Sequence, residues 1–474
     1  MPKTSLSAAT GEGDPGPEYS TYLGGTSNEF GIDIAVDEAG NTYVTGQTIS
    51  PDFPTTAGAF DTTHNGLADA FVTKLDASGS VVYSTYLGGT AAEAGLGVAV
   101  DDAGNAYVSG GSASPDFPVT PGAFDTSHNG NEDVFVAKLN PDGSAVLWAT
   151  FLGGSQVAGD FAPGIDVDAD GNVYVSGGTG SPDFPTTSDA LDATHNGADN
   201  ELDAFVAKLD PTGSQLLYST FLGGKCKDAS FDLAVAGDGT VFVTGDTVSE
   251  DFPTTRGAFD RRYKGKDDSF VAHLDVDESA LVYSTYIGGK ASDLGRGIAV
   301  DDEGDAYVTG WTTSSDLPTT GRAFDRRHNG GEDAFVAKLN AEGSDLVYAT
   351  YLGGSAKDRS YGVAVDGDGR ASITGWTASE ELPTSAGSFA EQYNGGDDGF
   401  VATLDATGSK VAYATYLGGT ALDFGRGIAL DSGGIIFVTG RTESADYPTT
   451  TTGSPTASRG ARDVFVAKLQ TGGN

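Results

Sequence analysis

A single cysteine, Cys226, in 474 residues has no partner within the chain, which excludes both an intrachain disulfide framework and a zinc site built from several cysteines. Positive charge is also scarce: 26 Lys and Arg stand against 67 Asp and Glu, a net charge of -41. A field of that sign repels phosphate backbones and anionic lipid. Nucleic acid is therefore not an expected partner, whereas a solvated acidic exterior, cations or basic partners fit. No run reaches the roughly 18 apolar residues a spanning helix needs, and the opening MPKTSLSAATGEGDPGPE has no apolar signal core. No membrane insertion is expected. Motifs of catalysis are missing too: there is no nucleophile elbow, phosphate-binding loop, zinc-protease helix or paired-Cys motif, so no catalytic residue is assigned.

The chain does contain 70 glycines and 18 prolines without a triplet period, set beside short apolar runs as turns between many strands would be. A self-comparison explains them. YSTYLGG or a close variant begins at Tyr19, Tyr83, Trp148, Tyr218, Tyr283, Tyr348 and Tyr413, and its first glycines, Gly24, Gly88, Gly153, Gly223, Gly288, Gly353 and Gly418, lie 64 to 70 residues apart. Each repeat carries four strand-like runs, illustrated in the second by GVAVDD from Gly97, NAYVSGG from Asn105, DVFVAKLN from Asp133 and AVLWATFLGG from Ala145. Gly-bearing turns join the first pair and the last pair, and a long loop joins the second run to the third.

Four antiparallel strands repeated seven times predict an all-β, seven-bladed β-propeller in which each thin sheet is buried against its neighbours. Ala35, Ala99, Ala234, Ala299, Ala364 and Ala429 share one position in the first run and place it nearest the crowded axis; only Asp166 breaks the series. The chain starts on a fourth-type strand, Tyr19 to Leu23, and finishes on a third-type strand, Val464 to Leu469. The N-terminal strand should therefore complete the last blade and close the ring. Residues 1–18 read as a flexible linker, or as the cut edge of a longer secreted polypeptide, 19–470 as the propeller and 471–474 as a tail.

The repeated LGG, GIAVD, GNxYVTG, DFPTT and DAFVAKLD segments resemble the SBBP family of β-propeller repeats, over Tyr19 to Leu469. The resemblance implies the fold and a secreted or cell-surface setting, and brings no catalytic motif.

Each recurrent motif has two readings. DFPTT at Asp52, with relatives at Asp116, Asp183, Asp251 and Asp316, reads as a loop that plugs the gap between blades and satisfies its own amides. His64, His128, His195 and His328 are replaced by Tyr263 and Tyr393 in other blades, which suits a hydrogen-bonding loop residue better than a ring of metal ligands. Asp168 with Asp170, and Asp366 with Asp368, read as hairpin turns or as the start of a calcium loop, although Thr179 stands where such a loop needs Glu. Calcium is the one cofactor considered. The acids Glu29, Glu93, Asp160, Asp228, Asp293, Asp358 and Asp423 either cap loop amides or form a cation-gathering ring.

Positions that break the repeat are better candidates for function. After the second-strand glycine stand Gln47, Gly111, Gly178, Asp246, Trp311, Trp376 and Arg441; before the first strand stand Ile32, Leu96, Pro163, Phe231, Arg296, Tyr361 and Arg426. Both rows fall at one end of the ring, so blades five to seven present Arg296, Trp311, Tyr361, Trp376, Arg426 and Arg441 together. Aromatic plates beside guanidinium groups suit an acidic sugar or an acidic peptide. The structural alternative pairs the arginines with Asp293 and Asp423 and has the tryptophans seal blade contacts. The expectation is a non-catalytic, monomeric binding or structural module for a carbohydrate or protein ligand; the alternative is a lyase-like polysaccharide enzyme using Tyr361 and Arg296, with Asp166 or His273 as base if folding brings either into the pocket.

Overall fold

A computed structural model describes residues 17–156, 159–198, 201–386, 388–450 and 457–470. The linker reading of 1–18 falls almost wholly, and the tail reading of 471–474 entirely, outside the described residues. Twenty-eight strands, β1 to β28, form seven four-stranded antiparallel sheets, and no helix occurs among the described residues. The first sheet holds β2 (Glu29–Val36), β3 (Thr42–Thr48), β4 (Asp69–Leu75) and β5 (Val81–Leu87) in sequence order, and five more sheets repeat it. The last has the order β1-β28-β27-β26: β1 (Pro17–Leu23) pairs with β28 (Asp463–Leu469), beside β27 (Ile436–Thr442) and β26 (Asp423–Leu430). The ring closes as expected.

The innermost strands are β2, β6 (Glu93–Val100), β10 (Asp160–Val167), β14 (Asp228–Val235), β18 (Asp293–Val300), β22 (Asp358–Val365) and β26, each packed against the next around the axis. They begin four residues earlier than the GVAVDD pattern suggests, so the row Ile32 to Arg426 lies inside the strands. Apolar clusters fill the seams. Tyr43, Val72 and Leu87 of the first blade, for example, meet Val98, Val108, Phe117 and Phe135 of the second. Seven such clusters, one per seam, make the ring one continuous core, because a sheet four strands wide buries its faces only against its neighbours. Phe117 of the DFP loop plugs its seam, and Asp116 accepts the Thr90 amide at 2.9 Å.

Candidate functional site at the channel mouth

Every innermost strand skips register against its neighbour at the same place, between Gly31 and Asp33 in the first blade and between Gly295 and Gly297 in the fifth. Such a bulge turns one extra side chain away from the pleat. Here it turns Ile32, Leu96, Pro163, Phe231, Arg296, Tyr361 and Arg426 into the axial channel, where they line a mouth cavity of about 230 Å³. A glycine in the partner strand makes room: a Cβ at Gly310 or Gly375 would run into the carbonyl oxygen of Leu294 or Arg359.

The mouth is divided in composition. Blades one to four contribute Ile32, Leu96, Pro163 and Phe231, whereas blades five to seven contribute Arg296, Tyr361 and Arg426. Just outside this circle stands the second row. Arg296 Nη1 donates to Asp246 Oδ1 at 2.7 Å, across the seam between blades four and five, and its guanidinium lies 3.9 Å over the Phe231 ring. Lys227 approaches the other Asp246 oxygen at 3.6 Å. Trp376 donates from Nε1 to the Tyr361 hydroxyl at 3.3 Å and meets Phe424 edge-on at 5.4 Å. The Arg426 guanidinium covers the Tyr361 ring at 4.1 Å. Arg441 lies 4.3 Å over Phe424 and 5.4 Å from Phe30.

The two rows thus meet at one end of the ring. Trp376 is buried, at 7% exposure, and Trp311 is half-buried. Between them sits a residue that the sequence pattern does not single out. Arg359 lies 4.4 Å over Trp311 and 5.3 Å over Trp376, and donates from Nε to Glu332 Oε2 at 2.6 Å. Its row (Phe30, Ala94, Phe161, Ala229, Leu294, Arg359, Phe424) reads as loop when the strands are started too late.

Charge compensation around the mouth is uneven. Asp246 offsets Arg296, Glu332 offsets Arg359, and Glu443 accepts from Arg462 at 2.8 Å. Arg426 and Arg441 have no carboxylate partner among the described residues, and Arg441 Nε is buried with no acceptor. Burial, then Arg462 and Arg426, hold the Arg441 guanidinium below its ordinary pKa. Burial pushes the Tyr361 phenol up, but Arg426, the Trp376 hydrogen bond and Arg359 together outweigh it, so the net shift is downward.

Below the mouth the channel carries carboxylates that staple blades together. Asp33 accepts the Val98 amide at 2.8 Å, Asp166 the Val235 amide at 2.9 Å and Asp232 the Ile298 amide at 2.9 Å, each across a seam. Burial pushes Asp33 and Asp166 up to about 6 and Asp232 well above the usual range, the last helped by Asp33 and Asp166. Asp33 and Asp232 line the mouth cavity; Asp166 does not.

At several positions the structure separates the two readings. Asp166 is engaged with the amides of Val167 and Val235, and His273 stacks on Phe242 at 3.9 Å near the turn at the other end of the ring, with Nε2 2.8 Å from Thr240 Oγ1. Neither joins Tyr361 as a base. Asp293 and Asp423 do not pair with arginines. They and their five counterparts are buried and accept the second LGG amide, as Asp293 does from Gly289 at 2.7 Å and Asp423 from Gly419 at 2.7 Å. Of the two readings of this row, capping of loop amides is the one these contacts fit. Asp168 accepts the Asp170 and Asn172 amides within its own turn, and Asp366 those of Asp368 and Arg370. No group of three or more His, Cys, Asp or Glu among the described residues is placed to hold a metal ion. His128 and His195 bond the carbonyls of Ser112 and Thr179, as loop residues.

A repeat-family match agrees with this architecture. The β-propeller repeat model named SBBP matches residues 18–54, 82–118, 282–318, 347–383 and 412–448. The regulatory protein FlaEY of Caulobacter vibrioides is 27% identical over 354 residues, 72% of this chain; the match spans only 35% of that protein's length. Among solved structures, a gluconolactonase from Xanthomonas campestris (12% identity, TM-score 0.37, 95% of this chain and 98% of that one) and a quinohemoprotein alcohol dehydrogenase from Comamonas testosteroni (9%, TM-score 0.44, 97% and 77%) are similar in outline. Five segments thus match the SBBP repeat model, and the seven closed four-stranded sheets make the chain a seven-bladed β-propeller.

Proposed function

We propose that this propeller is a non-catalytic binding module, working outside the cell, whose mouth at blades five to seven captures an acidic polysaccharide. One observation carries the reading: in a chain of net charge -41, two guanidiniums at the mouth, Arg426 and Arg441, lie beside aromatic rings with no carboxylate partner among the described residues. Cations half-sheltered from water and left uncompensated suit a ligand that brings the anion. The aromatic rings beside them add flat apolar surface for sugar faces.

A glycan array probed with the full chain, followed by a product assay on the hits, tests this. Saturable capture of uronate-bearing or sulfated glycans without new products is expected, and Trp311→Ala should weaken it about fivefold or more through lost stacking. Unsaturated uronate among the products would replace the module by an eliminating enzyme. Capture of neutral glycans only, or of acidic peptides in preference to glycans, would overturn the ligand class.

A further inference from the structure

The mouth does not treat its cations alike. Arg296 and Arg359 are each hydrogen-bonded to a carboxylate of this chain, Asp246 and Glu332, which also face Lys227 and Lys357. Exposed arginines such as Arg256 and Arg322 are satisfied by water and need no partner. Arg426 and Arg441 fall in neither class. Both are largely covered by protein, both use a ring as one wall, and neither makes an ion pair with a carboxylate among the described residues, the nearby Glu443 being held by Arg462. Arg441 also has a buried Nε hydrogen without an acceptor, a state that ordinarily costs about 1–3 kcal/mol and more for a charged donor. Two neighbouring like charges raise that cost further. The arrangement is at its most favourable with an oxyanion in place, because one group can accept from both guanidiniums in their planar fork geometry.

We propose that Arg426 and Arg441, walled by the Tyr361 and Phe424 rings, form an oxyanion subsite for one carboxylate or sulfate group. This rests on the reading given above and sharpens it: the subsite anchors the acidic ligand between blades six and seven, while Arg296 and Trp311 border the path of the chain without gripping its charge.

The test uses the full chain with sodium sulfate, galacturonate and galactose, read by calorimetry and by melting temperature. Sulfate and galacturonate should bind saturably and raise the melting temperature, and galactose should do neither. Arg426→Gln and Arg441→Met should each weaken anion binding about tenfold or more, whereas Arg370→Gln, on a turn at the other end of the ring, should leave it unchanged. In chloride buffer without either anion, Arg441→Met should melt no lower than the parent, since an apolar isostere removes an unpaired buried charge. The subsite is overturned if both variants bind sulfate as the parent does, or if Arg441→Met melts lower without anion, which would mark the cation as structural. Acidic glycans bound equally well by both variants would sink the subsite and leave the module standing. Sulfate bound by the parent and lost in the variants, with no glycan captured, would sink the module and leave the subsite.

Discussion

Asp246 and Arg296 are coupled across a seam, and the pair shows how one substitution in a repeat forces another. The Asp246 side chain is 4% exposed and that of Arg296 15%, so removing the acid strands a cation that water barely reaches. Asp246→Asn is expected to cost about 1–3 kcal/mol, below the value for a fully buried pair because Arg296 keeps some solvent; chemical denaturation of the variant measures it. Both residues stand out in the sequence as departures from their rows, yet their pairing is invisible there. Contact between the second-row residue of one blade and the bulge residue of the next depends on blade spacing, which no period reveals. Arg359 escapes for a different reason: the glycine-rich bulge interrupts the two-residue alternation, and the strand before it no longer looks like one. Counting two residues back from each bulge position finds it.

At the scale of the strand, the bulge and its opposing glycine act as one device. Gly375 lies across from Ser360, and a methyl group there would press on the Arg359 carbonyl that the bulge brings close. Gly375→Ala should therefore displace Tyr361 and weaken ligand capture about tenfold or more without altering any mouth side chain, since a small misplacement of a positioned group costs that much. Binding assays on a variant shown to be folded check this. Strand β1 invites a second experiment. It buries Tyr19, Tyr22 and Leu23 almost completely, and Tyr22 donates to the Ser444 carbonyl at 2.8 Å. Removing residues 1–23 should lower stability by on the order of 5 kcal/mol, from apolar burial alone, and calorimetric melting would show it. Strand type, number and order of closure are all legible in the repeat, because period and hydrophobic pattern both report on packing. The strand starts are not, because a bulge shifts the pattern it sits in.

For the molecule as a whole, acidity sets the response to pH. Burial lifts Asp33, Asp160 and Asp166 to about 6 and Asp228, Asp268 and Asp398 to about 7. A carboxyl group raised on folding binds more protons folded than unfolded between its ordinary value and its raised one. Its contribution is thus complete below the ordinary value and is lost as the pH climbs through 6 to 7. Exposed acids whose values are lowered, such as Asp52 and Asp116, act only at the acid extreme. The melting temperature should rise as the pH falls from about 8 to about 5, and fewer negative charges repelling one another work in the same direction. Asp33→Asn should flatten that slope; a melting temperature highest above pH 8 would contradict the assignment.

The closing pair also decides how the ring bears a load. Pro17 lies opposite Leu469, so tension applied through those two points pulls on neighbouring ends of antiparallel strands. The rungs between β1 and β28 would then break singly and in order, as a zip opens, and not all together as they would in shear. Drawn from that corner the propeller should yield at low force, with the last blade giving way before the other six.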